Sequence, residues 1–380
     1  MGMNDLIRKL SDIVANPIEY AKKRKQNSNQ PVFGYFCTYT PEEIIHAAGG
    51  VPFRIMGEKK KIENADAYLQ SYACSLVRTS LDIALLGKFN FIEGAIFPHT
   101  CDSIQRLSDI WRVNAKFPFH ADIVLPVKLH TQSSKDYMIE ELRRFRETIS
   151  SYTKEKITDE KLWQSITLYN TMRDNLKRLS EIQKNNPGLI PSVVFNDCVQ
   201  AAMFMPVEEH NTLTEELLTS LDGKMSEKNP TRILLAGNLC VFPEIYGFIE
   251  AAGASVVGDD MCTGSRYFVT NIDASIDDPI EAIAERLIQR PICAAKHNPN
   301  FDRGAYLKNI VKETGAEGVI FLLLKFCDPH SFDYPYLKES VESIKIPHLF
   351  LETEMDNPAL GQVKTRIEAF IEMIGENRDR

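Results

Sequence analysis

The sequence predicts an α/β fold: two parallel-sheet domains separated by a helical insert. Short apolar runs alternate with amphipathic stretches in the N-terminal part, the alternation stops in the middle of the chain, and it restarts at Pro230. MNDLIRKLSDIVANPIEYAKKRKQ carries apolar residues at helical spacing among charges and reads as a helical opening. Gln30 to Tyr39 reads as a strand and PEEIIHAAGG as a helix that begins after Thr40 with Pro41 and two glutamates and stops at Gly49-Gly50. Val51 to Ile55 is the next strand. SLVRTSLDIALLG then reads as a helix, with FIEGAIFP and ADIVLP as the strands that follow.

From about Lys135 to Lys228 the segments YMIEELRRFRETISSYT and KLWQSITLYNTMRDNLKRLSEIQ are helical, and no strand pattern interrupts them. After Pro230, RILLAG, ASVVGDD, GVIFLLLKF and HLFLE read as strands, with EIYGFIEAAG and YLKESVESI as helices between them. GQVKTRIEAFIEMIG is a closing helix with apolar residues three and four apart. The expected organisation is an α/β domain over 1–134, a helical insert or interdomain layer over 135–228, and a second α/β domain over 229–380. No short repeat is visible between the halves.

A chain of 380 residues has room for two or three cores. Its 44 basic and 52 acidic residues give a net charge of -8, with no basic stripe, so nucleic acid is not expected as a partner. The N-terminus has no apolar signal core and no stretch of about eighteen apolar residues occurs, so the expectation is a cytoplasmic protein without a membrane span. In a reducing compartment the eight cysteines are expected as free thiols, and the absence of CxxC argues against a zinc ribbon.

The positions of the cysteines carry the chemistry. Cys101 follows GAIFPHT, Cys262 follows ASVVGDDM and Cys327 follows GVIFLLLKF, each just past the end of an expected strand, the edge where open α/β sheets bind ligands. Cys37 lies at a strand end before a helix, Cys74 opens a helix whose dipole favours a thiolate, and Cys293 closes an apolar stretch. Cys198 and Cys240 read as ordinary buried small residues. Thiolates without histidines at ligand spacing favour an iron–sulfur cluster over zinc.

Taken together, CTYTPEEIIHAAGGVPFR, YACSLVRTS, FPHTCDSIQRLSDIW, GDDMCTGSRYF, CAAKHNP, FLLLKFCDPHSFDYPYL and IPHLFLETE with GQVKTRIEAF resemble the cluster-binding subunits of the 2-hydroxyacyl-CoA dehydratase and ATP-dependent benzoyl-CoA reductase family. HTCDSIQRLSDIW and KFCDPHSFDYPYL are most similar to the benzoyl-CoA reductase branch. The resemblance implies two flavodoxin-like domains with the cluster at the cleft between them. It implies that Cys74, Cys101 and Cys327 hold a [4Fe-4S] cluster, and that Cys37, Cys262 and Cys293 complete the six-cysteine set of members with a double-cubane [8Fe-9S] cluster. The activity implied is an iron–sulfur subunit of a ferredoxin-driven reductase acting on an aromatic acyl-CoA. The alternatives are a 2-hydroxyacyl-CoA dehydratase subunit and a homodimeric double-cubane reductase of small molecules. The implied partners are an ATP-hydrolysing iron–sulfur activator and a homologous subunit or second copy.

This chain has no GxxxxGK[ST] loop, so the nucleotide belongs to the partner. His99 and His330 flank ligand motifs and are candidate proton donors or hydrogen-bond partners of a cluster, a structural role being the alternative. Arg78, Arg106 and Arg266 are candidates to pair with phosphate or carboxylate, or to cap helices. Lys296 and His297 have no distinct expectation. Glu42 and Glu43 read as helix N-terminal charges. GDDMCTGSR suggests a phosphate loop yet lacks GxGxxG, and SFDYPYLK is either substrate wall or core and turn.

Overall fold

The computed structural model describes residues 2–356 and 359–378, so the expected limits at 1 and 380 lie outside it. Strands β1 (Val32–Tyr35), β2 (Val51–Arg54), β3 (Gly94–Pro98) and β4 (Phe119–Ile123) form one sheet in the order β2-β1-β3-β4. Strands β5 (Thr231–Gly237), β6 (Ala254–Asp260), β7 (Gly318–Leu324) and β8 (His348–Thr353) form a second in the order β6-β5-β7-β8. Every pairing is parallel. The α/β expectation holds, and each sheet has the doubly wound, flavodoxin-like order in which the direction of winding reverses between its first and third strands.

Residue choice explains the pairing. β1, β2, β3 and β7 are buried at every position, as parallel strands covered on both faces require. A Cβ on Gly94 would fall 1.7 Å from the carbonyl oxygen of Phe119, so only glycine lets β3 approach β4 there. Gly237 plays the same part at the end of β5: its φ is +147° and a Cβ would lie 2.0 Å from the Leu322 oxygen of β7. β4 begins earlier than the ADIVLP run because Phe119 is in register with Gly94.

The middle of the chain is helical, as Gln132–Thr153, Asp159–Asn185, Ser192–Ala201 and Val207–Leu221. Thr131 and Thr158 cap the first two, their side chains accepting from the amides of Ser134 and Lys161. Asp159–Asn185 buries Leu162, Ile166, Tyr169, Met172, Leu176 and Leu179 and packs on both the helix after β1 and strand β6, so it spans the two sheets. The N-terminal helix Met3–Ala15 buries Leu6, Leu10 and Ile13 and lies on Ser192–Ala201 and Val207–Leu221. The helices Asp102–Asn114, Pro279–Gln289 and Arg303–Thr314 have no counterpart among the sequence expectations. The last two begin at Asp278 and Asp302, whose carboxylates accept first-turn amides. The helix expected around YLKESVESI begins at Asp328 instead and continues through Pro335.

One buried ion pair ties the helical layer to the first sheet. Arg173 donates to the Glu43 carboxylate with both side chains at most 2% exposed, and its Nη1 also donates to Asn170 Oδ1 at 2.9 Å. Replacing Arg173 with Leu strands the Glu43 charge in a dry environment and is expected to cost about 3–5 kcal/mol of unfolding free energy, read by urea denaturation. A loss below about 1 kcal/mol would mean that the pair is not the clamp described here.

Candidate functional site

The carboxyl ends of both sheets face a single cavity. It has a volume of about 100 Å³, and Cys37, Cys74, Cys101, Cys262, Cys293 and Cys327 all line it. All are free thiols. The remaining two lie elsewhere in the core: Cys198 is wholly buried beneath His210, whose Nε2 meets the Cys198 carbonyl at 2.8 Å, and the Cys240 sulfur faces the Phe242 carbonyl at 3.6 Å.

Five of the six cavity cysteines sit where the chain leaves a strand or enters a helix, and Cys293 lies in the loop between helices Pro279–Gln289 and Arg303–Thr314. Cys74, Cys101 and Cys327 are the N-cap residues of helices Ser75–Leu85, Asp102–Asn114 and Asp328–Glu342. Their sulfurs therefore lie against first-turn amides that have no partner inside the helix. Burial pushes the Cys74 thiol up to about 12, with Cys327 adding to the rise and the amides of Val77 and Leu76 opposing it, although neither completes a full cap hydrogen bond. Cys101 is likewise pushed up to about 12 by burial and opposed by the Ile104 amide. Burial also raises Cys327, against the Asn238 side chain and the His330 amide.

The other three cysteines have a different surrounding. The Cys293 thiol beside the Cys262 sulfur lowers Cys262 below the ordinary thiol range against the effect of burial, helped by the guanidinium groups of Arg266, Arg54 and Arg290. The same contact, with burial, holds Cys293 well above that range. Cys37 adopts φ +56°, a left-handed conformation that costs a non-glycine residue roughly 1–2 kcal/mol, and Phe326, beside Cys327, does the same at φ +62°. Strain of this kind persists where surrounding packing fixes a residue for a purpose.

Of the two candidate histidines, only His330 lines the cavity. Burial, with Arg266 and Arg303 nearby, keeps its imidazole neutral, well below the usual range. Arg266 Nη1 lies 3.3 Å from His330 Nε2, and His330 Nδ1 lies 3.6 Å from the Cys327 sulfur. His99 stands outside the cavity lining, its Nε2 2.9 Å from Asp122 Oδ1. Asp122 is held well below the usual carboxylate range despite burial, by hydrogen bonds from His120, Ser108 and His99.

The other sequence candidates are spoken for. Arg266 is enclosed by Asp260, by the carbonyls of Gly237 and Asp260 and by His330. Arg78 pairs with Asp66 at 2.9 Å, and Arg106 is exposed near Asp109. Lys296 is buried with its Nζ 3.2 Å from the Leu125 carbonyl, and burial lowers its pKa. The His297 amide donates to Val127 O at 2.8 Å. GDDMCTGSR is no phosphate cradle, because the Asp259 carboxylate already accepts the amides of Met261 and Ser265. The SFDYPYLK aromatics lie outside the cavity lining, and Phe332 is 85% exposed.

Glu42 and Glu43 open helix Glu42–Ala47 as expected, and both are in addition buried and partnered. Glu43 meets Arg173, while Glu42 accepts the hydroxyl protons of Tyr35 at 2.6 Å and Tyr267 at 3.1 Å, joining the first sheet to the turn that carries Cys262. Sequence reasoning also missed Asn238, whose Oδ1 accepts the Leu324 amide at 3.1 Å and whose carbonyl accepts the Cys262 amide at 2.7 Å, and it missed Arg54 and Arg290. Asn238, placed directly after β5, had the same strand-end signal as the cysteines.

Residues 37–374 match the family described as 2-hydroxyglutaryl-CoA dehydratase, D-component. The chain belongs to that family. Family members similar to it include the (R)-phenyllactyl-CoA dehydratase beta subunit of Clostridium sporogenes, 28% identical over 96% of this chain and 97% of the relative. A subunit of benzoyl-CoA reductase from Thauera aromatica is 28% identical over 92% of each chain. The (R)-2-hydroxyglutaryl-CoA dehydratase beta subunit of Acidaminococcus fermentans is 26% identical over 98% of this chain and 100% of the relative. The D-component family thus supplies subunits to enzymes named for dehydration and for reduction. In this member, no helix among the described residues is long and apolar enough to cross a membrane.

Burial raises Glu42 to about 7 from 4.5, opposed by its tyrosine donors. The folded chain keeps this proton where the unfolded chain has released it, so Glu42 removes stability as pH rises from about 4.5 to about 7, by roughly 3 kcal/mol in all. Glu42→Gln is expected to flatten that part of the profile in urea unfolding measured at about pH 5 and about pH 8. An unchanged slope would refute the assignment.

Proposed function

We propose that the chain is the electron-delivering catalytic subunit of an iron–sulfur reductase, with its six cavity cysteines holding a double-cubane [8Fe-9S] centre, three thiolates to each cubane. The observation that carries this is the convergence of all six on one cavity while Cys198 and Cys240 stay apart. The donor set fits the group: it is made of soft thiols alone, and among the described residues no three His, Cys, Asp or Glu side chains meet at the spacing of a single-ion site. Bound there, the centre would supply one-electron reduction at low potential.

The chain's own residues prepare the place. Cys74, Cys101 and Cys327 form one triad, backed by three helix N-termini. Cys37, Cys262 and Cys293 form the other, with Arg54, Arg266 and Arg290 offsetting the negative charge near Cys262. The His330 imidazole stands beside the Cys327 sulfur, its Nδ1 at 3.6 Å, where the Nδ1–H tautomer would donate to that ligand. Ile55, Val77, Ile104, Leu239 and Leu324 keep water from the cavity walls. His99, two residues before Cys101, is oriented by Asp122, with Nε2 2.9 Å from Oδ1.

Without a nucleotide loop, the chain takes its electrons from an ATP-hydrolysing iron–sulfur component in the cytoplasm, and it pairs with a second copy or a homologous subunit. The names of the relatives favour a second reading, in which the substrate is an acyl-CoA, aromatic and reduced or 2-hydroxylated and dehydrated, and Cys74, Cys101 and Cys327 hold a single [4Fe-4S] cluster.

Anaerobically purified protein is expected to contain about eight iron atoms and about as many sulfides per chain, and about four would favour the single cubane. Protein without iron would sink both readings. Alanine at Cys74, Cys101 or Cys327 is expected to abolish, and at Cys37, Cys262 or Cys293 to at least halve, the iron content and the electron paramagnetic resonance signal of the reduced protein. Alanine at Cys198 should leave both intact. Turnover with the ATPase partner, comparing small reducible compounds with benzoyl-CoA and 2-hydroxyacyl-CoA, separates the substrate classes.

A further inference from the structure

A second cavity, of about 460 Å³, adjoins the thiol-lined one, and Arg54 and Met56 line both. Phe53, Phe89 and Phe204 give it an apolar wall. Three lysines stand at its rim, and each is already neutralised: Lys22 by Glu19 at 3.0 Å, Lys59 by Glu244 at 2.8 Å and Lys88 by Glu58 at 2.5 Å. A polyphosphate chain would meet as many carboxylates there as ammonium groups, and gains little.

The floor is charged differently. Arg54 is the last residue of β2 and 3% exposed, and no carboxylate pairs with it among the described residues. Its Nη1 donates to Met203 Sδ at 2.9 Å and to the Cys262 carbonyl at 3.3 Å. Its Nε and Nη2 have no hydrogen-bond partner among the described residues. The Nε atoms of Arg266 and Arg290 are sealed in the core, whereas Arg54 borders two cavities. Arg54 already offsets charge at Cys262, but its unpartnered Nε–Nη2 edge is the planar fork that binds a carboxylate through two parallel hydrogen bonds.

We propose that Arg54 anchors the carboxylate of a small, largely apolar monocarboxylic acid, which enters through the outer cavity and is held at the mouth of the thiol-lined one. This rests on the reading of the thiol-lined cavity as the reaction centre, and it gives that centre a substrate class. The phenylalanine wall takes the apolar body, the neutral rim lets a monoanion pass, and the fork fixes the end of the molecule that does not react.

Isothermal titration calorimetry of the anaerobically purified chain with sodium benzoate tests the proposal, with iron content measured on the same samples. The expected result is saturable binding at one site, weakened about tenfold or more in Arg54→Gln when affinities are compared on the iron-containing fraction of each sample. Arg54→Lys keeps the charge but lacks the fork, and is expected to weaken binding to a similar degree. No binding to the wild-type chain, or equal binding to wild type and both variants, would overturn the proposal. Loss of iron from both variants with benzoate affinity unchanged would also overturn it, leaving Arg54 to the thiolates alone. Benzoyl-CoA that binds more tightly than benzoate and is indifferent to both substitutions would overturn it in favour of an acyl-CoA route. Iron-free wild-type chain that still binds benzoate through Arg54 would support the anchor while refuting the iron–sulfur reading.

Discussion

Parallel strands deliver every loop that follows them to the same edge of a sheet, and here the carboxyl edges of two sheets face each other across one cavity. The rest of the molecule depends on that constraint. It brings residues as far apart in sequence as Cys37 and Cys327 to one wall. It also points at that wall the N-termini of the helices that begin after β3 and β7, because a helix that returns along a parallel sheet must start where the strand stops. The close approach of β3 to β4 at Gly94 and of β5 to β7 at Gly237 keeps each edge in register, so the glycines in the sheets serve the site as much as the fold.

Gathering sulfurs in a largely buried cavity is unfavourable once they lose their protons, and the surroundings of the six cysteines offset that cost by two different means. Around Cys74, Cys101 and Cys327 the compensation comes from backbone amides at helix N-termini, which carry partial charges and cannot be titrated away. Around Cys262 it comes from full charges on Arg54, Arg266 and Arg290. Arg266 is itself held by Asp260, which also meets Arg303, so part of that positive charge is spread into a buried network behind the site. Arg54 has no such carboxylate. Of the three guanidinium groups near Cys262 it is the one that borders both cavities.

The cysteine positions are legible in the sequence because a strand end followed by a helix start has a local signature, as in GAIFPHTCDS and GVIFLLLKFCDP. The same local signature covers Asn238, yet an amide does not announce itself as a ligand or a support for one. Arg54 is invisible for another reason: in VPFR it reads as the polar end of a strand, and only the packing of Met203 and Cys262 against it shows that it is buried. Glu42 and Glu43 look like helix-end charges because their partners Tyr267 and Arg173 lie 225 and 130 residues away. Local pattern reports what a residue does for its own helix. It cannot report a partner supplied by another layer.

The repeated strand order has a consequence for the site. β3 and β7 occupy equivalent places in the two sheets, and Cys101 and Cys327 each follow their strand by the same interval, each as the N-cap of the next helix. The correspondence fails at the first two strands. In the first sheet the cysteine follows β1 as Cys37, and β2 ends in Arg54; in the second, β5 is followed by Asn238 and Leu239, and the cysteine follows β6 as Cys262. The cavity is therefore built on a two-fold plan but is not two-fold in its chemistry. A group held by one symmetric pair and by ligands from non-equivalent strands has two inequivalent ends. Here one end is flanked by helix amides, and the other lies beside Arg54 and the opening to the outer cavity.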